Sequence, residues 1–264
     1  MILTYEISEV SPYINWLYFF HAWQLSGKPD EVKQQLKTEA EEQLSALEGH
    51  YRTHVVFEIL DANGDGDDLL AGGVRIPMLR QQHATSEGEY NLCLADFVQP
   101  LSSGITDKVG VFAATVDSSL EHDFKKDAYQ QMLVQTLADR LAEATVERMH
   151  EEVRKKWWGY APDEHLTMEQ LHQEAFQGIR PAVGYPSLPD TSVNFILSDI
   201  LGMKEIGITL TQSGMMRPHA SVSGFMFAHP KARYFDIGIV GEDQLRDYAS
   251  RRGIPVELMR RFIK

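Results

Sequence analysis

Cysteine is almost missing from this sequence: Cys93 is the only one in 264 residues. A single thiol excludes an intrachain disulfide and any metal site built from several cysteines. It stands in the apolar run Cys93-Leu-Ala-Asp-Phe-Val98 and is expected to be a buried core thiol. Long apolar runs are missing too. None reaches the roughly 18 residues that span a bilayer, so no membrane association is expected. The N-terminus, Met1-Ile-Leu-Thr-Tyr-Glu-Ile7, lacks a basic start and a small-residue cleavage site. No signal peptide is read there, and the expected location is cytoplasmic. Positive charge is scarce: 25 Lys and Arg stand against 38 Asp and Glu, for a net charge of −13. That balance argues against a nucleic-acid partner, whose phosphates require clustered cations. No internal repeat or low-complexity segment is present.

What is there suffices for a sizeable core, with 43% hydrophobic residues. Ser11-Pro12 starts a helix carrying Ile14, Trp16, Leu17, Phe19, Phe20, Trp23 and Leu25, apolar nearly all round and hence expected to be buried, with Gly27 ending it. Pro29 opens a second, charged helix to about Leu47, with a thin stripe at Val32, Leu36, Ala40 and Leu44. His54 to Leu60 reads as a strand. Asp61-Ala-Asn-Gly-Asp-Gly-Asp-Asp68 resembles the start of an EF-hand loop, but Gly72 stands where the bidentate Glu belongs, and a turn joining two strands accounts for it better. Leu69 to Leu79 continues that hairpin. Lys108 to Val116 is a strand apolar on both faces, and Glu121 to about Trp158 reads as one long helix with a stripe at Tyr129, Met132, Leu133, Leu137, Leu141, Ala144 and Met149. Glu143, Glu147 and His150 share a different, outer face. His150-Glu-Glu-Val-Arg154 lacks the second histidine of a zinc-protease motif.

Thr167-Met-Glu-Gln170 is a capping box opening a short helix that ends at Gly178. Ser192 to Met203 is a further helix. Three strands, Ile206–Thr211, Ala220–Ala228 and Arg233–Val240, are expected to form an antiparallel meander, followed by closing helices from Glu242 to Gly253 and Pro255 to Ile263. The fold class is therefore α+β, an antiparallel sheet with flanking helices, expected as one domain over 1–264 with N-terminal helices in 1–50 and the sheet and site in 51–264.

The stretch from Arg180 to Phe235 concentrates the candidate chemistry. It contains Arg180-Pro-Ala-Val-Gly-Tyr-Pro186, the small-residue run Ala220-Ser-Val-Ser-Gly224, and His229-Pro-Lys-Ala-Arg-Tyr-Phe235. Proline and glycine fix the backbone direction in the loops, and small residues in a strand let another backbone or a flat ligand approach closely. An arginine, two tyrosines and free backbone groups could converge there on a small molecule. On these residues alone, loop punctuation and core aromatics explain the pattern equally well.

Arg180-Pro-Ala-Val-Gly-Tyr-Pro186 and Ala220-Ser-Val-Ser-Gly224 with Ala228-His-Pro230 resemble the activation domain of cobalamin-dependent methionine synthase. Cys93–Val98, Leu137-Ala-Asp-Arg-Leu-Ala-Glu-Ala144, Trp158-Gly-Tyr-Ala-Pro162, and Asp243-Gln244 with Asp247-Tyr-Ala249 agree with it, so the similarity runs from about Tyr13 to about Phe262. The resemblance implies a bent antiparallel β-sheet with helices beside it. It implies S-adenosyl-L-methionine as ligand, and no Gly-x-Gly-x-x-Gly follows a strand, so a Rossmann-type site is not expected. It implies Arg180 as partner of the ligand carboxylate, Glu143 near the ligand, Tyr234 as a contact, and Tyr185 beside ligand or cobalamin. Ala182 and Gly184 supply the backbone of the same loop. Asn15 stands where the family carries an aspartate, and Phe235 replaces a tyrosine. The implied activity is support of the reductive methylation of cob(II)alamin to methylcobalamin, with no catalytic acid, base or metal. No Asp-x-His-x-x-Gly cobalamin motif occurs, so cobalamin is expected on a partner chain, a cobalamin-binding methionine synthase subunit, with flavodoxin or a similar reductase as electron donor. Asn15 and Phe235 also leave open a docking or shielding partner that binds no ligand, or an activator of another corrinoid methyltransferase.

Overall fold

The computed structural model describes residues 1–83, 90–124 and 127–263. The chain begins with a strand, β1 (Ile2–Glu6), where only helices were expected over 1–50; it pairs with Arg52–Val56 and buries Tyr5. The helix expected from Ser11 is divided. After α1 (Ile7–Val10), Ser11–Tyr13 forms a 3-10 turn, the chain extends through Ile14 and Asn15, and α2 (Trp16–Ala22) follows. Asn15 causes the restart: its side-chain oxygen accepts from the Leu17 N–H at 3.1 Å, a helix N-cap. α2 buries only part of its surface, with Phe19 enclosed but Leu17 and Tyr18 more than half exposed. The second helix, α3 (Asp30–Leu47), matches expectation and packs Leu36, Ala40 and Leu44 inward, while Val32 faces out.

β2 (Arg52–Asp65) is twice the expected length. It continues through the acidic run, turns at Gly66–Asp67, and returns as β3 (Asp68–Ala71) and then β4 (Val74–Pro77). The acidic side chains are neutralised by arginines: Arg75 contacts Asp65 and Asp68, each at 2.7 Å, and Arg80 contacts Asp67 at 2.6 Å. β5 (Asp107–Val116) pairs along most of β2. Its side chains alternate, Val109, Val111 and Ala113 into one core and Phe112, Ala114 and Val116 into the other, so both sheet faces are covered as its apolar sequence requires.

The expected single helix from Glu121 is two pieces, α4 (Leu120–Asp123) and α5 (Ala128–Glu152), the latter capped by Asp127 on the N–H groups of Tyr129 and Gln130. Residues 125–126 of that expectation lie outside the described residues. α5 widens into a π turn over Val153–Trp157, and Tyr129 and Met132 of its stripe are exposed. α6 (Met168–His172) carries the expected capping box but stops well before Gly178. α7 (Val193–Leu201) matches, as do α8 (Glu242–Arg252) and α9 (Val256–Phe262). Between them lie a two-stranded ribbon, β6 (Thr209–Leu210) with β7 (Met216–Arg217), and then β8 (Ser221–Met226).

The expected meander does not form. β8 pairs with β5 on one side, and the extended segment 179–183 takes its other edge, so no edge is free for 233–240, which makes no ladder. The main sheet is antiparallel throughout, with order β4-β3-β2-β5-β8 and β1 beside the first half of β2. One core, under α7, α8 and α9, holds Phe225, Phe227 and Cys93; the other, under α1, α2, α3 and α5, holds Phe57, Phe112 and Met226. This is the α+β arrangement expected from the sequence.

Two outcomes follow. Cys93 is fully buried and its thiol is pushed up to about 12 by loss of solvent, so a thiol reagent at pH 8 should label it only on unfolding; rapid labelling of the native protein would contradict the described core. A β-carbon added at Gly224 would lie 2.2 Å from the Pro181 carbonyl oxygen. Gly224→Ala should therefore lower unfolding free energy by about 1–3 kcal/mol in urea denaturation, and an unchanged midpoint would show that segment 179–183 yields freely.

Candidate functional site

The site is organised by the segment lying against β8. Ile179 and Phe227 exchange backbone hydrogen bonds at 3.0 and 2.9 Å, Phe225 N–H donates to Pro181 O at 3.1 Å, and Val183 N–H donates to Ser223 O at 2.9 Å. Odd-numbered residues thus spend their backbone groups on the sheet. Even-numbered ones turn the other way. The Arg180 N–H meets the Tyr234 hydroxyl at 3.0 Å, and among the described residues the Ala182 N–H has no acceptor. Gly224 permits this close approach, because any side chain there would strike Pro181. The small residues noted in the sequence therefore admit a backbone, that of Pro181 and Ala182.

Between this segment and α5 lies a cleft of about 720 Å³, within the usual range for small-molecule sites. Phe112 and Val222 border it from the sheet, Glu143 and Glu147 from α5, and Tyr13, Asn15 and Tyr18 from the N-terminal segment. Arg180 lies deep in it, with 16% of its side chain exposed. One guanidinium nitrogen, Nη2, donates to Glu147 Oε2; the other, Nη1, lies 3.3 Å from His150 Nδ1. Burial works against the charge on Arg180, but Glu147, Tyr234 and Glu174 outweigh it and hold its pKa above the ordinary value. Glu147 is itself buried, and its Oε1 has no hydrogen-bond partner among the described residues. A buried carboxylate oxygen without a donor is costly unless something else supplies one. Glu174, also bordering the cleft, has its pKa raised chiefly by burial.

Seven of the eight residues singled out from the sequence border this one cleft: Asn15, Glu143, Arg180, Ala182, Tyr185, Tyr234 and Phe235. Asn15 commits its oxygen to capping α2. Glu143 pairs with Arg140 at 2.8 Å and receives the Tyr185 hydroxyl at 3.3 Å, at the open side where Tyr185 is 53% exposed. Phe235 borders the cleft but packs its ring into the core, edge-on to Phe97 at 6.2 Å. Gly184 stands apart, in a neighbouring groove with Ile237 and Ile239.

Sequence reasoning does not single out two residues that hold Arg180, Glu147 at the cleft wall and His150 behind it. Glu147 and His150 were grouped with Glu143 on an outer face of the long helix, but both are buried. Their spacing from Glu143 is four and seven residues, which does define one face. What the pattern does not carry is the segment that covers that face, 174–182, supplied from elsewhere in the chain.

The family model for the activation domain of vitamin B12-dependent methionine synthase matches residues 6–253. A crystal structure of the MetH reactivation domain bound to AdoHcy superposes with a TM-score of 0.89, at 36% identity over 99% of this chain and 89% of that one. With the fold and the sequence in agreement over nearly the whole length, the chain belongs to the family of vitamin B12-dependent methionine synthase activation domains.

Proposed function

We propose that this chain binds S-adenosylmethionine in the cleft between α5 and segment 179–183, and thereby supports reductive methylation of a cobalamin held by a partner. The observation that carries the reading is the buried Arg180–Glu147 pair, which sets a guanidinium beside a carboxylate oxygen lacking a donor. A zwitterionic amino-acid end needs that combination: a cation with a fork of N–H donors for its carboxylate, and an anionic acceptor for its ammonium. The residues fit the ligand at its other end as well. The apolar surface of Phe112 and Val222 and the Ala182 N–H, without an acceptor among the described residues, suit a flat heterocycle.

In this reading Arg180 holds the carboxylate, while Glu147, with Glu143 nearer the mouth, receives the ammonium. Ala182 supplies a backbone donor to the adenine. When bound, S-adenosylmethionine supplies an activated methyl group, and cobalamin on the partner supplies the cobalt that accepts it. The chain's own contribution is to orient the ligand with its reactive end toward the open side by Tyr185 and to keep water from its buried end. No proton transfer is asked of any side chain. The cobalamin-binding methionine synthase subunit is the proposed principal partner. An electron donor such as flavodoxin is a further one, and the cytoplasm is the proposed setting. Among the described residues no helix is long and apolar enough to cross a membrane.

Calorimetric titration with S-adenosylmethionine should show saturable one-to-one binding. Arg180→Ala should weaken it about ten-fold or more, the loss of a charged hydrogen-bond set. Glu147→Gln, which keeps the shape but removes the charge, should weaken it less. No heat at millimolar ligand, or an Arg180→Ala variant binding as well as the parent, would refute this reading.

A further inference from the structure

Arg180 has a second anchor that the ligand-binding reading leaves unexplained. Glu147 holds Nη2, and a single carboxylate is a pivot about which the guanidinium can turn. His150, one helical turn further along α5, meets Nη1 through Nδ1 at 3.3 Å. His150 is completely enclosed, with its ring edge-on to Phe176 at 5.2 Å and 87°. The same Phe176 ring lies 4.1 Å from the Arg154 guanidinium and 5.3 Å from that of Arg180. A third cation between two guanidiniums in a dry site is strongly disfavoured, so the imidazole is neutral. Burial, then Arg154, then Arg180 all push its pKa down.

The tautomer is then determined by its neighbours. A guanidinium only donates, so Nδ1 must accept and the proton resides on Nε2. Nε2 faces the Tyr160 hydroxyl at 3.4 Å, which in turn reaches the Gln177 carbonyl oxygen at 3.4 Å. Behind this line Arg154 is fixed by three contacts to Glu164, at 2.6 to 3.1 Å. The back of the cleft is thus a packed row of buried groups: Arg154 and His150 flank the Phe176 ring, His150 meets Arg180, and Arg180 faces the cavity.

We infer that His150 is a positioning residue: as a neutral hydrogen-bond acceptor it locks the rotation of the Arg180 guanidinium so that its free donors face the ligand carboxylate. The inference rests on the proposed binding of an amino-acid-bearing ligand in this cleft. A residue that acts only through Arg180 should matter only to ligands that use Arg180.

The test measures dissociation constants for two ligands, S-adenosylmethionine and 5′-methylthioadenosine, which lacks the amino-acid arm. His150→Phe keeps a ring without an acceptor; His150→Asn keeps an acceptor oxygen close to the position of Nδ1. His150→Phe should weaken S-adenosylmethionine about ten-fold, the scale of one hydrogen bond to a charged group, and 5′-methylthioadenosine less than about two-fold. His150→Asn should recover most of the loss. Should His150→Phe not fold, His150→Gln carries the test, since its oxygen reaches the Nε2 position instead and should lose the same selectivity. Equal weakening of both ligands, no weakening of either, or an Asn variant as impaired as Phe would overturn the inference while leaving the binding proposal standing. Failure of the parent protein to bind S-adenosylmethionine would overturn both.

Discussion

Arg180 and Glu147 meet across the boundary between the long helix α5 and the segment laid along β8. A buried ion pair of this kind is a poor source of stability, because removing both charges from water costs about as much as their attraction returns. Its consequence is geometric. Apolar side chains of the same volume would close the two elements on each other. The charged pair holds polar atoms at the bottom of a cleft that the rest of the fold keeps open, with Phe112 and Val222 as its sheet-side border and Tyr185 at its mouth. The carboxylate oxygen of Glu147, without a donor among the described residues, is the group that a cation entering the cleft would satisfy.

The sheet makes this possible by being covered on both faces. Strict alternation along β5 divides its side chains between two cores, and β8 repeats the division with Phe225 on one side and Met226 on the other. With both faces packed and the β5 edge occupied, the remaining edge of β8 is the place where a further chain can add. Segment 179–183 adds there through alternate backbone groups, which leaves its other backbone edge directed away from the sheet. The glycine at 224 lets that segment come close enough to bond. The outward-facing Ala182 N–H and the Arg180 side chain in the cleft therefore arise from the same strand addition.

Much of this is legible in the sequence where a local pattern decides the outcome. α3, α7, α8 and α9, β5, the capping box at Thr167 and the burial of Cys93 all follow from periodicity or from punctuating residues. The pattern gives way where a distant element decides. β1 is a strand because β2 offers it an edge. The 233–240 segment has strand-like composition but no free edge to join. Asn15 divides an otherwise continuous apolar run because its side chain competes for the backbone. In the candidate site, the resemblance points to Arg180, Glu143 and Tyr234, which border the cleft, and the geometry adds Glu147 at its wall and His150 behind Arg180, both covered by residues 174–182.

The most direct examination of the central claim is a crystal structure of this chain with S-adenosylmethionine. The account predicts the ligand carboxylate on the Arg180 guanidinium, its ammonium on Glu147, and its adenine edge on the Ala182 N–H. Ligand density elsewhere, for instance in the groove beside Gly184 and Ile237, with Arg180 still bound only to Glu147 and His150, would contradict it.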